Sequence, residues 1–302
     1  MNPLERYEPL VDDPAAFRAA CDRPLPSVVR VNTIKATVER ARQGLDSEGV
    51  EYDPADWHEG LFRLDGHSPG RNWAYVHGWL HGQEEVSVLP GVALAPEPGE
   101  RVLDLCAAPG SKTSQLAAAM DDRGTLVAND NNLGRLSALR HNCERLGVTN
   151  VAVTNQDGRN FSVKPFGFET FDRVLVDVPC SCEGTCRKNP DVLEEWSLDH
   201  VESIAGIQKG LLRRAVQLTA PGGRVVYSTC TFAPEENEAV VDHVLELEPC
   251  RVEPVDLPLV TAEGVTEWKG ETYDERVRDT HRVYPHHNDT GGFYCATLEV
   301  TG

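Results

Sequence analysis

The chain reads as an α/β protein: a Rossmann-like, doubly wound, mostly parallel sheet with a smaller α/β unit ahead of it. Three observations carry that expectation. Apolar runs such as VLVDV at 174–178 and RVVYST at 224–229 are what strands covered on both faces look like. From residue 101 onward such runs alternate with helix-patterned stretches, the signature of β-α-β units. LPGVALAPEPGE, residues 89–100, sets three prolines and two glycines between patterned regions, and so divides a unit 1–95 from a unit 96–302.

In chain order, SVVRVNTIK (27–35) reads as a strand and TVERARQGLDSEG (37–49) as a helix stopped by Gly49. In the second unit RVLDLCA (101–107) precedes a helix SKTSQLAAAM (111–120), and TLVAND (125–130) precedes LGRLSALRHNCERLG (133–147). VAVTNQD (151–157) and FDRVLVDVPC (171–180) read as strands, and a helix GLLRRAVQLTA (210–220) leads into the strand GGRVVYSTC (222–230). Ligands of such sheets bind at the carboxyl ends of the strands, so the chemistry is expected there.

Composition narrows the function. The chain carries 48 acidic and 29 basic residues, a formal net charge of −19, and only six of the basic residues are Lys. That balance excludes a generally basic nucleic-acid-coating protein and a binder of anionic membranes. It reads as adaptation to high salt, in which excess carboxylates keep a protein hydrated. No stretch approaches the roughly 18–20 apolar residues of a membrane helix, and the opening MNPLERYEPLVDD lacks the apolar run of an export signal. The nine cysteines are therefore expected as reduced thiols in a cytoplasmic, monomeric protein with no membrane partner.

The first strand-to-helix turn is DLCAAPGSKTSQL, residues 104–116. Its Pro-Gly-Ser sequence lets backbone N–H groups converge on an anion, yet it lacks the earlier glycine of a phosphate loop; an amino-acid carboxylate fits. The next strand ends in Asp130, placed to accept from a ribose diol, and the third in Asp157, placed near an adenine edge. Ribose, adenine and a charged amino-acid tail together describe S-adenosylmethionine better than a dinucleotide. Cys106, Ala107, Ala108, Pro109, Gly110, Ser111 and Lys112, with Asp130, Arg135, Asp157 and Asp177, make the expected cofactor-binding set. Asp104 is expected to support the turn. Lys112 either orients Asp177 or is an ordinary lysine at a helix start.

The fourth and fifth strands deliver Cys180, in DVPCSCEGTCRKNP, and Cys230, in YSTCTFAPEENE, to the same edge. Cys182 and Cys186 follow Cys180 in a C-x-C-x₃-C spacing that lacks a second ligand pair, so packed thiols are expected rather than a metal. His286 and His287 read as loop histidines near the substrate cleft, because neighbours on an extended chain point apart.

DLCAAPGSKT, DVPCS with the later GTCRKNP, and YSTCTFAPEENE resemble the Sun/RsmB family of RNA (cytosine-5) methyltransferases. RVNTIK at 30–35, QEEVSVLP at 83–90 and PHHNDTGGFYCATL at 285–298 resemble its flanking signatures. Two departures stand out: Cys182 occupies a position where many members have Gly, and SKT replaces the commoner GKT. The resemblance implies a class I methyltransferase domain using S-adenosylmethionine, with Cys230 adding to cytosine C6, Cys180 assisting proton removal or product release, and Asp177 hydrogen-bonding N3 and the exocyclic amine. DNA enzymes of this chemistry use the Cys of a Pro-Cys pair, which would nominate Cys180 instead.

A paired base hides C5 and C6, so the target must be single-stranded or flipped out. Residues 18–42 hold six basic side chains against Asp22 and Glu39. Arg30, Asn32 and Lys35 there, with Arg187, Lys188 and Asn189 after the Cys loop, are the expected RNA contacts. Gly291 and Gly292 are expected to allow a close backbone approach to the catalytic loops. The combination of SKTSQL, DVPCS and RKNP is closer to the archaeal and eukaryotic transfer-RNA branch of the family than to the ribosomal one. Ribosomal RNA, or an idle cofactor- and RNA-binding assembly factor, remain the alternatives.

Overall fold

A computed structural model describes residues 3–66 and 68–302. A first helix, α1 (Pro14–Cys21), is capped by the Asp13 side chain and opened by a proline. Next comes a four-stranded antiparallel sheet of β1 (Ser27–Val31), β2 (Tyr52–Ala55), β3 (His58–Leu64) and β4 (Leu80–Gly82), in the order β2-β3-β1-β4. Helices α2 (Val38–Ser47) and α3 (Trp73–Val76) cover it, packing Ala41, Leu45 and Ala74 on Val29, Val31, Phe62 and Leu64. The expected strand 27–35 stops at Val31. Asn32 turns the chain there, its carbonyl accepting from the N–H groups of Lys35 and Ala36.

The larger unit begins with α4 (Leu89–Leu94), then β5 (Arg101–Asp104), α5 (Ser111–Ala119), β6 (Thr125–Asn129), α6 (Leu133–Leu146), β7 (Val151–Thr154), β8 (Phe171–Asp177), α7 (Leu198–Leu218), β9 (Thr219–Thr229) and α8 (Glu238–Leu247). The short β10 (Cys250–Val252), β11 (Ala262–Glu263), β12 (Glu267–Trp268), β13 (Glu271–Thr272) and β14 (His281–Val283) lead to α9 (Pro285–Asn288) and β15 (Phe293–Val300). The main sheet runs β11-β14-β15-β9-β8-β5-β6-β7, with β10 also on β15. Its five strands β7, β6, β5, β8 and β9 are mutually parallel, and β15 is antiparallel to β9.

Period-two alternation explains the layering. Leu103, Val127, Val174, Val176 and Tyr227 face one side, against Leu211, Leu212 and Ala215 of α7 and Val240, Val241 and Val244 of α8. Val102, Leu126, Leu175 and Val226 face the other, against Ala93 and Leu94 of α4 and Leu116 and Ala117 of α5. Both faces are dry, as the unbroken apolar runs require. The strand order reverses at β5, between β6 and β8, which puts the ligand crevice at the ends of β5 and β8.

Several expectations change in detail. The helix read at 210–220 begins at Leu198, where Ser197 accepts from the N–H of His200. Only short 3-10 turns at 158–160 and 164–166 link β7 to β8. Residues 3–21, expected in the amino-terminal unit, pack on the larger one: Leu4, Tyr7 and Phe17 share a core with Phe232, Trp268 and Tyr284.

Candidate active site

The site is assembled from two loops that leave adjacent parallel strands, β8 and β9. Asp177 closes β8; one of its oxygens accepts from Ser228 Oγ at 2.8 Å and the other from Lys112 Nζ at 2.8 Å. Lys112, in the first turn of α5, also reaches Ser87 Oγ at 2.9 Å. Burial pulls the Lys112 ammonium down, but Asp177 more than offsets this and holds it above the usual lysine value. Of the two readings open for Lys112, the pairing with Asp177 is the one realised.

Cys180 and Cys230, fifty residues apart, meet with their sulfurs 3.2 Å apart. Cys182 Sγ lies 3.7 Å from Cys180 Sγ and donates to the Cys180 carbonyl at 3.0 Å. The sulfur contacts, first with Cys182 and then with Cys230, push Cys180 up together with its burial. Cys182 is pulled down by the contacts with Cys180 and Cys230. For Cys230 the contact with Cys180 lowers, but Cys182, burial and nearby Asp177 outweigh it and leave this thiol well above its usual value.

The two loops are locked by backbone. Gly184 N–H donates to Cys230 O at 3.0 Å, and Gly292 N–H, just ahead of β15, donates to Gly184 O at 2.8 Å. A Cβ on Gly184 would sit 2.3 Å from Gly292 O, and one on Gly292 would sit 2.1 Å from the Phe232 ring. Behind the sulfurs lies a buried polar web. Glu183 accepts from Tyr7 Oη, Trp196 Nε1, Ser181 Oγ and Thr231 Oγ1 at 2.5 to 2.7 Å. Glu236 accepts from Ser181 N–H at 3.0 Å and Gln208 Nε2 at 2.8 Å, and also meets Ser181 Oγ. Burial pushes Glu236 up to about 8. Sequence reasoning did not single out Glu183, Glu236, Tyr7 or Trp196; the acids inside CEG and PEEN were the available signal.

Two cavities share the 177–179 segment as a wall. One, of about 200 Å³, is lined by Lys112, Asp177, Val178, Thr185, Lys188, Cys230 and Phe293 among others. The other, of about 300 Å³, is lined by Cys106, Asp130, Arg135, Asp157, Pro179, Ile204, Ile207 and their neighbours. Asp130 accepts from Ala108 N–H at 3.2 Å and Asn132 N–H at 2.8 Å and faces Arg135 at 3.4 Å. Asp157 chelates the Arg159 guanidinium, which lowers its carboxyl pKa. Ala107 and Ala108 are buried, Pro109 is exposed, and Gly110 caps α5 at φ +103°, where a Cβ would meet Leu139 at 2.8 Å. Ser111 turns away from this cavity, its hydroxyl 2.9 Å from His81 Nε2. Asp104 ties β5 to α5 by accepting from Thr113 Oγ1 at 2.7 Å, and burial pushes it up to about 7.

Three of the expected RNA contacts, Arg30, Asn32 and Arg187, are corrected. Arg30 is 3% exposed and spans Gln83 Oε1 at 2.8 Å and Ser114 Oγ at 2.9 Å. Asn32 is fully buried on the carbonyls of Gly78 and Leu146, and Lys35 Nζ caps the end of α6 at Arg145 O, 2.7 Å. These three join the two units. Arg187 is buried on the carbonyls of Arg23, Pro24 and Thr290 and on Asp289. Of that set Lys35, Lys188 and Asn189 are exposed, and Lys188 lines the smaller cavity. Charge density along the chain misled because a guanidinium or amide satisfies buried carbonyls as well as phosphates.

A surface that sequence reasoning missed lies on α3. Trp73, 65% exposed, stacks on His77 at 5.7 Å; His77 stacks on Trp79 at 5.7 Å; and the Arg40 guanidinium lies 4.5 Å from the Trp79 ring. Arg40 and Arg71 form no ion pair among the described residues, whereas most guanidiniums of this acidic chain do. The aromatic spacing in WAYVHGW was its signal.

The remaining cysteines and histidines resolve differently from their spacing. Cys186 leaves the cluster and packs with Cys21 in the core against Phe232. His286 and His287 do not line the cleft: they sit on a helical turn, α9, so both Nε2 atoms converge on Asp12, at 2.7 and 3.0 Å.

The family model described as 16S rRNA methyltransferase RsmB/F matches residues 91–299. A tRNA (cytosine(49)-C(5))-methyltransferase of Pyrococcus abyssi is 41% identical over 298 residues, covering 98% of this chain and 94% of that protein. The 26S rRNA (cytosine-C(5))-methyltransferase nsun-1 of Caenorhabditis elegans is 39% identical over 94% of this chain, which spans only 43% of that relative's length. A solved structure of a methyltransferase homolog protein from Pyrococcus horikoshii superposes with a TM-score of 0.85 at 32% identity, covering 98% of this chain and 93% of that one.

Proposed function

Since the chain belongs to the RsmB/F family of methyltransferases, we propose that it transfers a methyl group from S-adenosylmethionine to C5 of cytosine in RNA, with transfer RNA as the substrate. The observation that carries the reading is the 3.2 Å approach of Cys180 and Cys230 beside the Lys112–Asp177 pair. Two sulfurs and an acid close enough to surround one pyrimidine ring are what covalent activation of C5 requires.

The residues of the larger cavity fit the donor. Asp130 and Asp157 offer acceptors to a ribose diol and an adenine edge, and Pro179, Ile204 and Ile207 supply apolar walls. Bound there, S-adenosylmethionine supplies an electrophilic methyl on sulfonium. The protein prepares the acceptor. Cys230 Sγ, as thiolate, adds to C6 of a base held in the smaller cavity; Asp177, oriented by Lys112 and Ser228, hydrogen-bonds N3 and the exocyclic amine. C5 takes the methyl, loses its proton with Cys180 assisting, and the Sγ–C6 bond breaks.

The preference for transfer RNA is supported by the relative of nearly equal length, whose name specifies tRNA, whereas the ribosomal relative is more than twice as long. The exposed Trp73 stack supplies a base-stacking surface that an acidic chain needs more than phosphate contacts. Incubation with methyl-labelled S-adenosylmethionine and bulk transfer or ribosomal RNA in molar salt, followed by nucleoside analysis, tests the reading. Cys230→Ala should abolish turnover and the covalent complex, and Cys180→Ala should trap the protein on its RNA. An adduct in the Cys230 variant but none in the Cys180 variant would reverse the two roles. No label in either RNA would leave an idle binding factor.

A further inference from the structure

We propose that Cys180, Cys182 and Cys230 form a three-sulfur site for a soft divalent cation such as Zn²⁺ or Cd²⁺, whose occupation reversibly blocks the reacting thiols. The three sulfurs lie within 4.8 Å of one another. Sulfur ligands about 2.3 Å from zinc stand roughly 3.8 Å apart along a tetrahedral edge. The Cys180–Cys182 separation of 3.7 Å already meets that value, and the Cys180–Cys230 separation of 3.2 Å has only to open.

The cage is preset by backbone. Cys182 sits at φ +66°, a left-handed conformation, held by Thr185 N–H on its carbonyl at 2.8 Å. The Gly184–Cys230 hydrogen bond clamps the second loop to the first. Three sides are sulfur, and the fourth opens where Cys230 lines the smaller cavity, so a water or anion completes the shell. Binding is charge-balanced: three thiols release three protons to solvent, and the resulting singly anionic M(SR)₃ centre lies near the Lys112 ammonium. The Glu183 and Glu236 web holds both loops by itself, which makes this an accessory site rather than a structural one.

Cys182 is the residue that converts a pair of reacting thiols into a tridentate ligand. Asp12, His286 and His287 also converge, but there both Nδ1 atoms are buried without a partner. A histidine bound to metal through Nε2 needs an acceptor for its Nδ1–H, so that cluster is the poorer site. Metal binding itself is independent of the proposed RNA reaction; only the blockade rests on it.

The test is a titration of the whole protein with Cd²⁺, followed by thiolate-to-metal charge-transfer absorbance, and with Zn²⁺ against a chromophoric chelator. One ion per chain is expected on the sulfurs. Cys182→Gly, which suits the left-handed backbone, should weaken binding by more than the 10- to 100-fold typical of losing an outer-shell partner. It should leave methyl transfer in place but make it resistant to Zn²⁺, whereas the unaltered protein is inhibited and is recovered by chelator. Cys182→Ser should weaken binding likewise. Unchanged affinity in both Cys182 variants, or loss of the ion on His286→Asn instead, would overturn the proposal.

Discussion

Gly184 and Gly292 meet backbone to backbone, the N–H of Gly292 donating to the carbonyl of Gly184 at 2.8 Å. Through this contact β15 sets the position of the Cys180 loop, and through Gly184 N–H the same residue grips the carbonyl of Cys230. Gly184→Ala forces a Cβ to within 2.8 Å of Cys230 O unless the loops part. A displacement of about 1 Å at reacting atoms lowers turnover roughly 100-fold, while overpacking of this kind destabilises by only about 1–3 kcal/mol. Gly184→Ala should therefore lose methyl transfer far out of proportion to its Tm, which steady-state assay and thermal melting together will read. Full activity in a protein that has kept its Tm would show that the clamp does not position the sulfurs.

Among the described residues Lys112 is the one cation paired with Asp177, and its 2.8 Å contact is buried on the lysine side. In Lys112→Met the carboxylate keeps only the Ser228 hydroxyl and is free to turn. Single-turnover methylation should fall by about 10²- to 10⁴-fold, the range of a lost acid–base or orienting group. Binding of S-adenosylmethionine, read by calorimetry, should change little, because the cavity assigned to it lies on the other side of the 177–179 wall. An equal loss of donor affinity would place Lys112 in the cofactor cavity instead.

The parallel strands and their loops were legible because a strand–turn–helix unit is local: the pattern around DLCAAPG or YSTC contains most of what places it. The meeting of Cys180 with Cys230 was also legible, since two strand ends in one sheet share an edge. What the sequence hid are satisfactions made at long range. Arg30 and Asn32 sit in a basic segment, yet β4 and the helices α5 and α6 bury them, and nothing within ten residues announces it. His286 and His287 were read as extended; a single helical turn reverses where they point. The Glu183–Glu236 web draws on residues from 7 to 236 and has no linear spacing.

Ser181 stands between those two acids with one hydroxyl proton, which cannot serve both. Glu236 resolves this by keeping its own proton: burial raises it from the ordinary 4.5 to about 8. Between those values the folded protein holds a proton that the unfolded chain has released, so stability falls as pH rises, by up to about 1.4 kcal/mol per unit. Glu236→Gln reproduces the protonated pattern, its amide donating to Ser181 Oγ and its carbonyl accepting from Ser181 N–H and Gln208. Urea unfolding at pH 5.5, 6.5 and 7.5 should show a shallower decline for the variant, leaving it the more stable protein at the highest pH. Parallel slopes would mean that Glu236 ionises with its ordinary value inside the fold.

Trp73 offers the open end of a stack in which His77 and Trp79 are the inner layers and Arg40 lies over the last ring. An indole 65% exposed on a chain that buries most of its other large aromatics is a site for a flat partner. The Arg40 guanidinium lies over the inner ring, and Glu48 accepts from the Trp73 N–H at 2.7 Å, which leaves the outer indole face as the contact surface. Stacking one base on such a ring contributes about 1–3 kcal/mol, and salt weakens it less than it weakens phosphate contacts. Trp73→Ala should therefore raise the KM for the RNA substrate by roughly 5- to 150-fold with kcat at saturation unchanged, and Trp73→Phe should restore most of the loss. The difference between the variants should persist from low to molar salt. Identical KM values for all three proteins would remove the stack from substrate recognition, and a change in sedimentation on Trp73→Ala without RNA would assign it to a protein contact.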